Sequence, residues 1–174
     1  MKKLHYSLFT ALFLVSGLYF QVSAQKDKSK RPSPPAQVTN TVNGVNVTID
    51  YSQPSLKGRE LNTLAPIGEV WRTGANEASW IEISDDVKID GNTLKKGKYG
   101  LFTINNGTEW TIIFNEVWDQ WGPYDYKAAK DVLRINVSAK TSEATTEQFT
   151  ITIDTDGATS LKWGDTIVPF TISK

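Results

Sequence analysis

Two short segments of the chain combine large aromatic side chains with polar groups that can bind a ligand. Residues 70–80 contain two Trp, an Arg, an Asn, a Glu and a Gly without the alternation of a β-strand. Residues 118–126 hold four aromatic residues beside two carboxylates. Aromatic rings stack on sugars, and Arg with Asn can bind a carboxylate or a hydroxyl. We therefore predict that both segments form walls of one pocket.

The candidate ligand-binding residues come from these segments and from the strand and loop before them. Trp and Tyr would supply apolar surface, whereas Arg, Asn and the carboxylates would fix the orientation of the ligand. The alternative is structural: Arg72 and Glu77 would bind each other or nearby backbone, and the aromatic residues would seal one end of the domain. The candidates are Tyr51, Arg59, Trp71, Arg72, Asn76, Glu77, Asp119, Trp121, Tyr124 and Tyr126.

The chain has no cysteine, and its single histidine is His5. Because His5 lies in a predicted signal peptide, the mature protein contains neither residue type. Ser-His-Asp and Cys-His nucleophilic sites are excluded, as are zinc sites built on imidazole or thiolate. Catalysis would have to use carboxylates, Lys, Tyr or Ser, and a metal would need oxygen ligands. We predict no cofactor and no metal site.

Paired carboxylates offer the main catalytic option. Glu77 with Asp119 or Asp125 could act as acid and base on a glycosidic bond, but the spacing in the sequence does not predict the required separation. We assign no catalytic residue, and three hypotheses remain. The first is non-catalytic binding of a small ligand or glycan in a pocket at one end of the domain. The others are a carboxylate-dependent glycan hydrolase and a structural or partner-docking domain.

The first 24 residues are predicted to be a signal peptide. Lys2 and Lys3 precede a mostly apolar stretch over residues 8–20, and small residues follow at the expected cleavage point. The apolar stretch is shorter than the roughly 20 residues of a membrane span. The mature protein is therefore predicted to be exported, periplasmic or extracellular, without membrane attachment. Residues 25–35 are polar and proline-containing, which favours a flexible linker.

Net charge and chain length restrict the kinds of partner and the number of domains. Without Lys2 and Lys3, the basic residues number 17 against 19 acidic ones, so the formal charge is 17 − 19 = −2. No basic patch interrupts this balance, which excludes a nucleic-acid partner. Residues 36–174 are enough for a single domain with its own core. The oligomeric state is left open.

Short alternating strands separated by turn residues dominate residues 36–174. Asn43-Gly44 suits a tight hairpin turn, and further hairpins are predicted around Gly91-Asn92 and residues 105–108. No long helical pattern is present. The sequence therefore predicts an all-β fold, an antiparallel β-sandwich (jelly-roll-like) of about nine strands with two long irregular loops.

Four motifs carry a resemblance to a known family. They span residues 51–59 (YSQPSLKGR), 70–77 (VWRTGANE), 97–103 (GKYGLFT) and 121–126 (WGPYDY). Together they resemble the bacterial domain-of-unknown-function family DUF2911 over residues 33–172. The resemblance implies a secreted all-β domain that often forms a whole chain by itself. It implies no activity, substrate or catalytic residue.

Overall fold

Two antiparallel β-sheets pack face to face in the computed structural model, which describes residues 27–174. The predicted signal peptide lies outside the described residues. A single turn of α-helix, α1 (Leu61–Leu64), and 3-10 turns at Lys28–Lys30 and Ala128–Lys130 complete the secondary structure. The strands are β1 (Pro35–Val42), β2 (Val45–Ser52), β3 (Val70–Trp71), β4 (Trp80–Ile83), β5 (Val87–Ile89), β6 (Asn92–Leu94), β7 (Gly97–Asn105), β8 (Glu109–Asn115), β9 (Asp131–Ser138), β10 (Lys140–Ile153) and β11 (Ala158–Ser173).

The larger sheet has the strand order β1-β2-β4-β7-β8-β9, with β3 paired to β7 beside this path. The smaller sheet has the order β10-β11-β5-β6. The predicted antiparallel sandwich is confirmed. Its eleven strands exceed the expected nine partly because β3, only two residues long, lies in a segment predicted to be irregular.

The hydrophobic core lies between the two sheets and follows directly from strand alternation. In β2, Val45, Val47 and Ile49 are buried while the residues between them face outward. Phe149 and Trp163 supply large side chains from the smaller sheet. With no disulfide in the chain, burial of this apolar surface is the main source of stability.

The residues in the tight turns determine how neighbouring strands pair in the hairpins. Asn43 and Gly44 both have positive φ, 48° and 83°, as the predicted tight turn requires. The next hairpin turns at Asp90-Gly91, with φ of 44° and 83°, rather than at the predicted Gly91-Asn92. Asn92 begins β6 and pairs with Ile89. Because Ile89 pairs with Asn92 in this register, Asp90 and Gly91 are the two residues left to form the turn.

A long loop, residues 116–130, crosses the outward face of the larger sheet; we call it the outer loop. It passes so close to β7 that a Cβ on Gly100 would lie 2.5 Å from the Val117 carbonyl oxygen. Under it, Phe102, Ile113 and Ala78 form a small hydrophobic cluster outside the main core. The larger sheet is therefore covered on both faces over part of its area.

The segment predicted to be a flexible linker contacts the domain in the structure. Lys28–Lys30 form a 3-10 turn, and β1 begins at Pro35, within the predicted linker. Arg31 and Lys28 both reach Glu77 in the domain. Within residues 27–174, no helix has the length and hydrophobicity needed to cross a membrane.

Candidate functional site

The outer loop is held on the sheet by Asn115, the last residue of β8. Its side-chain amide donates to the Lys127 carbonyl at 3.0 Å and to the Asp131 carboxylate at 2.7 Å. Its carbonyl oxygen accepts the Val117 N–H at 2.9 Å. Asn115 itself is 1% exposed, so its end of each bond is shielded from water. One buried side chain thus ties both ends of the loop to the sheet.

The two irregular segments of the sequence come together beside this anchor. The Ala78 N–H donates to the Gln120 carbonyl at 3.0 Å, and the Gly122 N–H donates to the Asn76 carbonyl at 3.2 Å. Between them, Glu77 and Trp121 form an isolated antiparallel bridge. The outer loop and residues 76–78 therefore build one continuous surface.

A cleft of about 210 Å³ opens where the outer loop meets the outward faces of β2 and β4. We call it the outer-face cleft. The sequence predicted a pocket at one end of the sandwich, whereas this cleft lies on the face of a sheet. Three predicted residues, Tyr51, Glu77 and Asp119, contribute to it. Its full lining is Lys28, Pro35, Asp50, Tyr51, Ser52, Glu77, Ala78, Trp80, Trp118, Asp119 and Gln120.

Two tryptophans form the aromatic part of the cleft. The Trp80 and Trp118 ring centroids are 6.4 Å apart in an edge-to-face arrangement. The Lys98 ammonium lies 3.4 Å from the Trp80 centroid and 3.8 Å from that of Trp118. Such cation–π contacts fix the ring positions. Trp80 is half-buried, since its register with Asp50 and Gly100 points it outward.

Asp50 is the half-buried carboxylate of the outer-face cleft. Burial raises the pKa of Asp50, and this effect outweighs the hydrogen bond from Gln37 and the positive charges of Lys28 and Lys98. The Gln37 bond is long, at 3.3 Å, and Asp50 forms no ion pair with any described residue. A carboxylate with a perturbed pKa in a cleft is a candidate for function.

Glu77 has the opposite electrostatic environment. Burial alone would raise its pKa, but hydrogen bonds from Arg31 and Lys28 lower the pKa of Glu77 to about 2. The ion-pair distances are 2.7 Å to Arg31 and 3.1 Å to Lys28. The alternative interpretation of the sequence paired Glu77 with Arg72, and that pairing is wrong.

Backbone turns explain why Arg72 and Glu77 separate. Thr73 and Asn76 have positive φ, 54° and 60°, so the chain between the two charged residues is strongly bent. Arg72 donates a long hydrogen bond of 3.4 Å to the Asn76 carbonyl instead. Glu77 faces the N-terminal segment, whose cations satisfy it.

Replacement of Glu77 by Gln is expected to release the N-terminal segment. The Glu77 side chain is 40% exposed, so solvent screening limits the lost stability to about 1 kcal/mol or less. Because folding lowers this pKa, the contribution is complete above about pH 4.5 and is lost as pH falls towards 2. We expect faster tryptic cleavage after Lys28 in the variant at pH 7.5. We also expect the free energies of unfolding of variant and parent to differ near neutral pH and to become equal in acid.

The matched control is Glu69→Gln, because Glu69 is exposed and forms no ion pair with any residue of the described chain. Cleavage after Lys28 at the parental rate in Glu77→Gln would contradict the assigned contacts.

Arg59, Trp71 and Arg72 lie at a second, smaller cavity of about 190 Å³. We call it the arginine cavity. Trp71 is 7% exposed and stacks on Trp163 at a centroid distance of 5.4 Å, so it belongs to the core and reaches this cavity only in part. The predicted site residues are thus divided between two cavities.

Three other candidates have structural partners. The Tyr51 hydroxyl accepts the Ile151 N–H at 3.0 Å across the sandwich. The Asn76 amide donates to the Ser33 carbonyl at 3.0 Å. Burial and hydrogen bonding to Asp131 raise the pKa of Tyr126 to about 12, and its hydroxyl donates to that carboxylate at 2.6 Å. Tyr126 thereby fastens the far end of the outer loop.

Trp121 and Tyr124 belong to neither cavity. Trp121 is 54% exposed and Tyr124 is 77% exposed, and neither lines either cavity. The ten candidate residues did not include Asp50, Trp80, Trp118 or Gln120, although Trp118 and Gln120 lie in a segment predicted to form a wall of the pocket. The signal for Asp50 and Trp80 was strand alternation, which places them opposite buried neighbours on the outward face.

No metal centre is formed by the described residues: none of their His, Cys, Asp and Glu side chains lie in groups of three or more. The absence of a metal and of a cofactor stays a prediction from composition.

The fold and the cleft define an all-β sandwich domain with a polar, aromatic cleft on the outward face of its larger sheet. The family described as "Protein of unknown function (DUF2911)" matches residues 33–172, and the chain belongs to this family. The resemblance carried by the four sequence motifs is thereby confirmed. Comparisons with curated proteins and with solved structures gave no match.

Proposed function

We propose that the protein is a non-catalytic binding module that holds a saccharide in the outer-face cleft. The observation that carries the proposal is the Trp80–Trp118 pair beside the half-buried Asp50. Trp118 is 36% exposed, so part of its ring is available for stacking on a sugar. Sugar-binding sites need this combination of an apolar face and fixed hydrogen-bonding groups.

Gln120 supports the proposal from the polar side of the cleft. Its side-chain oxygen is buried and has no hydrogen-bond partner among the described residues. Its amide donates only a long bond, 3.4 Å, to the Gly122 carbonyl. A buried acceptor without a donor costs free energy, and a ligand hydroxyl at the cleft would remove that cost.

Charge narrows the class of saccharide. Glu77 is neutralised by Lys28 and Arg31, which leaves Asp50 and Asp119 as the carboxylates free to meet a ligand. Carboxylates accept hydroxyl hydrogens and repel other carboxylates. Neutral oligosaccharides or amino sugars therefore fit the cleft better than uronic acids.

The test is a thermal-shift titration with neutral, amino and uronic oligosaccharides. Binding to the folded state at a ligand concentration of about 100 times Kd stabilises by about 2.7 kcal/mol, a rise in Tm of roughly 5–10 °C. We expect a neutral or amino oligosaccharide to give such a rise. Trp118→Ala should weaken binding about tenfold or more, since it removes the stacking surface.

The matched control is Trp121→Ala, an exposed tryptophan of the same loop outside the cleft. It should leave the Tm response unchanged. Equal responses of the parent, Trp118→Ala and Trp121→Ala proteins would contradict binding in the outer-face cleft, as would the absence of any response.

A second candidate function is hydrolysis of glycans at the same cleft. Asp50 has a raised pKa and Glu77 a lowered one, and both line the cleft. In glycoside hydrolases, two carboxyl groups with well-separated pKa values act as the general acid and as the base or nucleophile. Glu77 is, however, engaged by two cations, which favours binding over catalysis. Release of reducing sugar by the parent but not by Asp50→Asn would support the hydrolase.

We further propose that the protein acts after export. The support is the predicted signal peptide. An N-terminal sequence of the secreted protein that begins at Gln25 would agree with this proposal, whereas retention of residues 1–24 would contradict it.

A further inference from the structure

We propose that the arginine cavity is a second binding site, which takes the carboxylate of a small acid with an apolar body. Arg59 and Arg72 both line this cavity, with Trp71, Trp163, Leu64 and Pro54 among the remaining lining residues. No Asp or Glu lines it, although Arg59 also borders a neighbouring cavity with Glu60, Glu147 and Asp165. Two arginines without an ion pair at one cavity create a local positive potential that attracts an anion.

The ion pairs of the other two arginines support the assignment of an anion site to this cavity. Arg31 pairs with Glu77 and Arg134 pairs with Asp131. Neither Arg59 nor Arg72 forms an ion pair with a residue in the range 27–174. The two unpaired arginines of the described chain therefore share one cavity.

Arg72 has hydrogen-bonding capacity to spare. Its Nε is buried and has no partner within the described structure, and its Nη1 makes only the 3.4 Å bond to the Asn76 carbonyl. Gly122 restricts this guanidinium, since a Cβ there would lie 2.6 Å from Nη1. An arginine held in position with free donors matches the planar, forked geometry of a carboxylate.

Arg59 is held in place by its own loop. Its Nε donates to the Leu56 carbonyl and its Nη2 to the Ser55 carbonyl, both at 2.8 Å. These bonds orient the guanidinium before any ligand arrives, which lowers the entropic cost of binding. Arg59 is exposed, so we place it at the mouth of the cavity, where it meets an incoming anion.

The apolar walls of the cavity favour a carboxylate over a phosphate as the ligand. Trp71 and Trp163 stack on each other, and Leu64 and Pro54 add apolar surface. A phosphate has oxygens on all sides and would press several of them against these walls without donors. A carboxylate presents two oxygens to the arginines and its apolar body to Leu64, Pro54 and the accessible edges of the two tryptophans. The volume, about 190 Å³, lies below the range of drug-sized pockets and suits a small acid.

The direct test follows the Arg72 Nε–H signal in ¹⁵N-resolved NMR spectra of the purified protein. Benzoate serves as the probe, benzamide as its uncharged analogue and inorganic phosphate as the competing anion. We expect benzoate to shift the Arg72 Nε–H signal in a saturable manner, benzamide to have no effect, and phosphate to bind at least tenfold more weakly. A signal unmoved by millimolar benzoate, or moved equally by benzamide, would overturn the proposal. Equal or tighter phosphate binding would overturn the choice of a carboxylate.

Variants separate the two arginines from general charge effects. Arg72→Lys keeps the charge but loses the fork, and we expect at least a tenfold loss of benzoate affinity by calorimetry. Arg59→Gln, at the exposed mouth, should fold normally and lose affinity by a smaller factor, which tests the site even if Arg72→Lys is unstable. Lys88→Gln, an exposed cation of β5 without an ion pair in the described chain, is the control and should bind as the parent does. Parental affinity in both arginine variants would overturn the proposal.

This site is independent of the outer-face cleft. Trp118→Ala should leave benzoate binding unchanged, and Arg59→Gln should leave saccharide binding unchanged. Failure of one proposal is therefore visible without failure of the other.

Discussion

Replacement of Trp71 by Ala is expected to lower the free energy of unfolding by about 3–5 kcal/mol, the usual cost of truncating a buried Trp. Trp71 lies at the centre of an aromatic cluster that joins both sheets. Its ring centroid is 5.4 Å from that of Trp163, 5.0 Å from Phe149 and 6.4 Å from Trp110. Loss of the indole removes apolar burial and three aromatic contacts together.

Urea denaturation followed by circular dichroism measures this change, and Trp121→Ala is the matched control. Both tryptophans are candidate ligand residues by sequence, yet Trp121 is 54% exposed. We expect a change within about 0.5 kcal/mol for Trp121→Ala, as for most surface substitutions. Similar losses in the two variants would contradict the assignment of Trp71 to the core.

Replacement of Asn115 by Ala is expected to destabilise the protein by about 1–3 kcal/mol, since it removes three hydrogen bonds made by one buried side chain. These bonds join Asn115 to the Val117 N–H, the Lys127 carbonyl and the Asp131 carboxylate. Because these bonds hold the outer loop, the loop should loosen before the rest of the domain. Saccharide affinity should fall as well, although Asn115 does not line the cleft.

Hydrogen exchange read by mass spectrometry tests the local part of this prediction. We expect faster exchange over residues 116–127 in Asn115→Ala and parental exchange in β2 and β4. Asn136→Ala, an exposed asparagine on β9, is the control and should exchange as the parent does. Unchanged protection of the outer loop in Asn115→Ala would show that Asn115 is not its anchor.

Strand alternation and turn chemistry were sufficient to predict the sandwich. Asn43-Gly44 places a tight turn between β1 and β2, and the register of that hairpin follows from it. The same alternation places Asp50 on an outward face of β2. It did not show that a loop 65 or more residues further along the chain would cover that face and turn Asp50 into part of a cleft, because loop paths depend on tertiary contacts.

The charged residues show more clearly that side-chain partners could not be predicted from the sequence. Arg72 and Glu77 are close in sequence, which suggested a pair, but Glu77 binds Arg31, 46 residues before it. Positive φ at Thr73 and Asn76 bends the segment between them, and residue type alone did not predict these angles. A large aromatic residue in a strand is usually buried, but Trp80 lies on the outward face, where Lys98 and Trp118 cover it in part.

The central claim, ligand binding in the outer-face cleft, is tested most directly through the six tryptophan side chains of the protein. Each indole N–H gives its own signal in a ¹H–¹⁵N spectrum, and the signals can be assigned with single Trp→Phe variants. On titration with the oligosaccharide that raises Tm, we predict saturable shifts of the Trp118 and Trp80 signals, with those of Trp71, Trp110 and Trp163 unchanged. Shifts confined to Trp121, or no shift of Trp118 at saturating ligand, would contradict the claim.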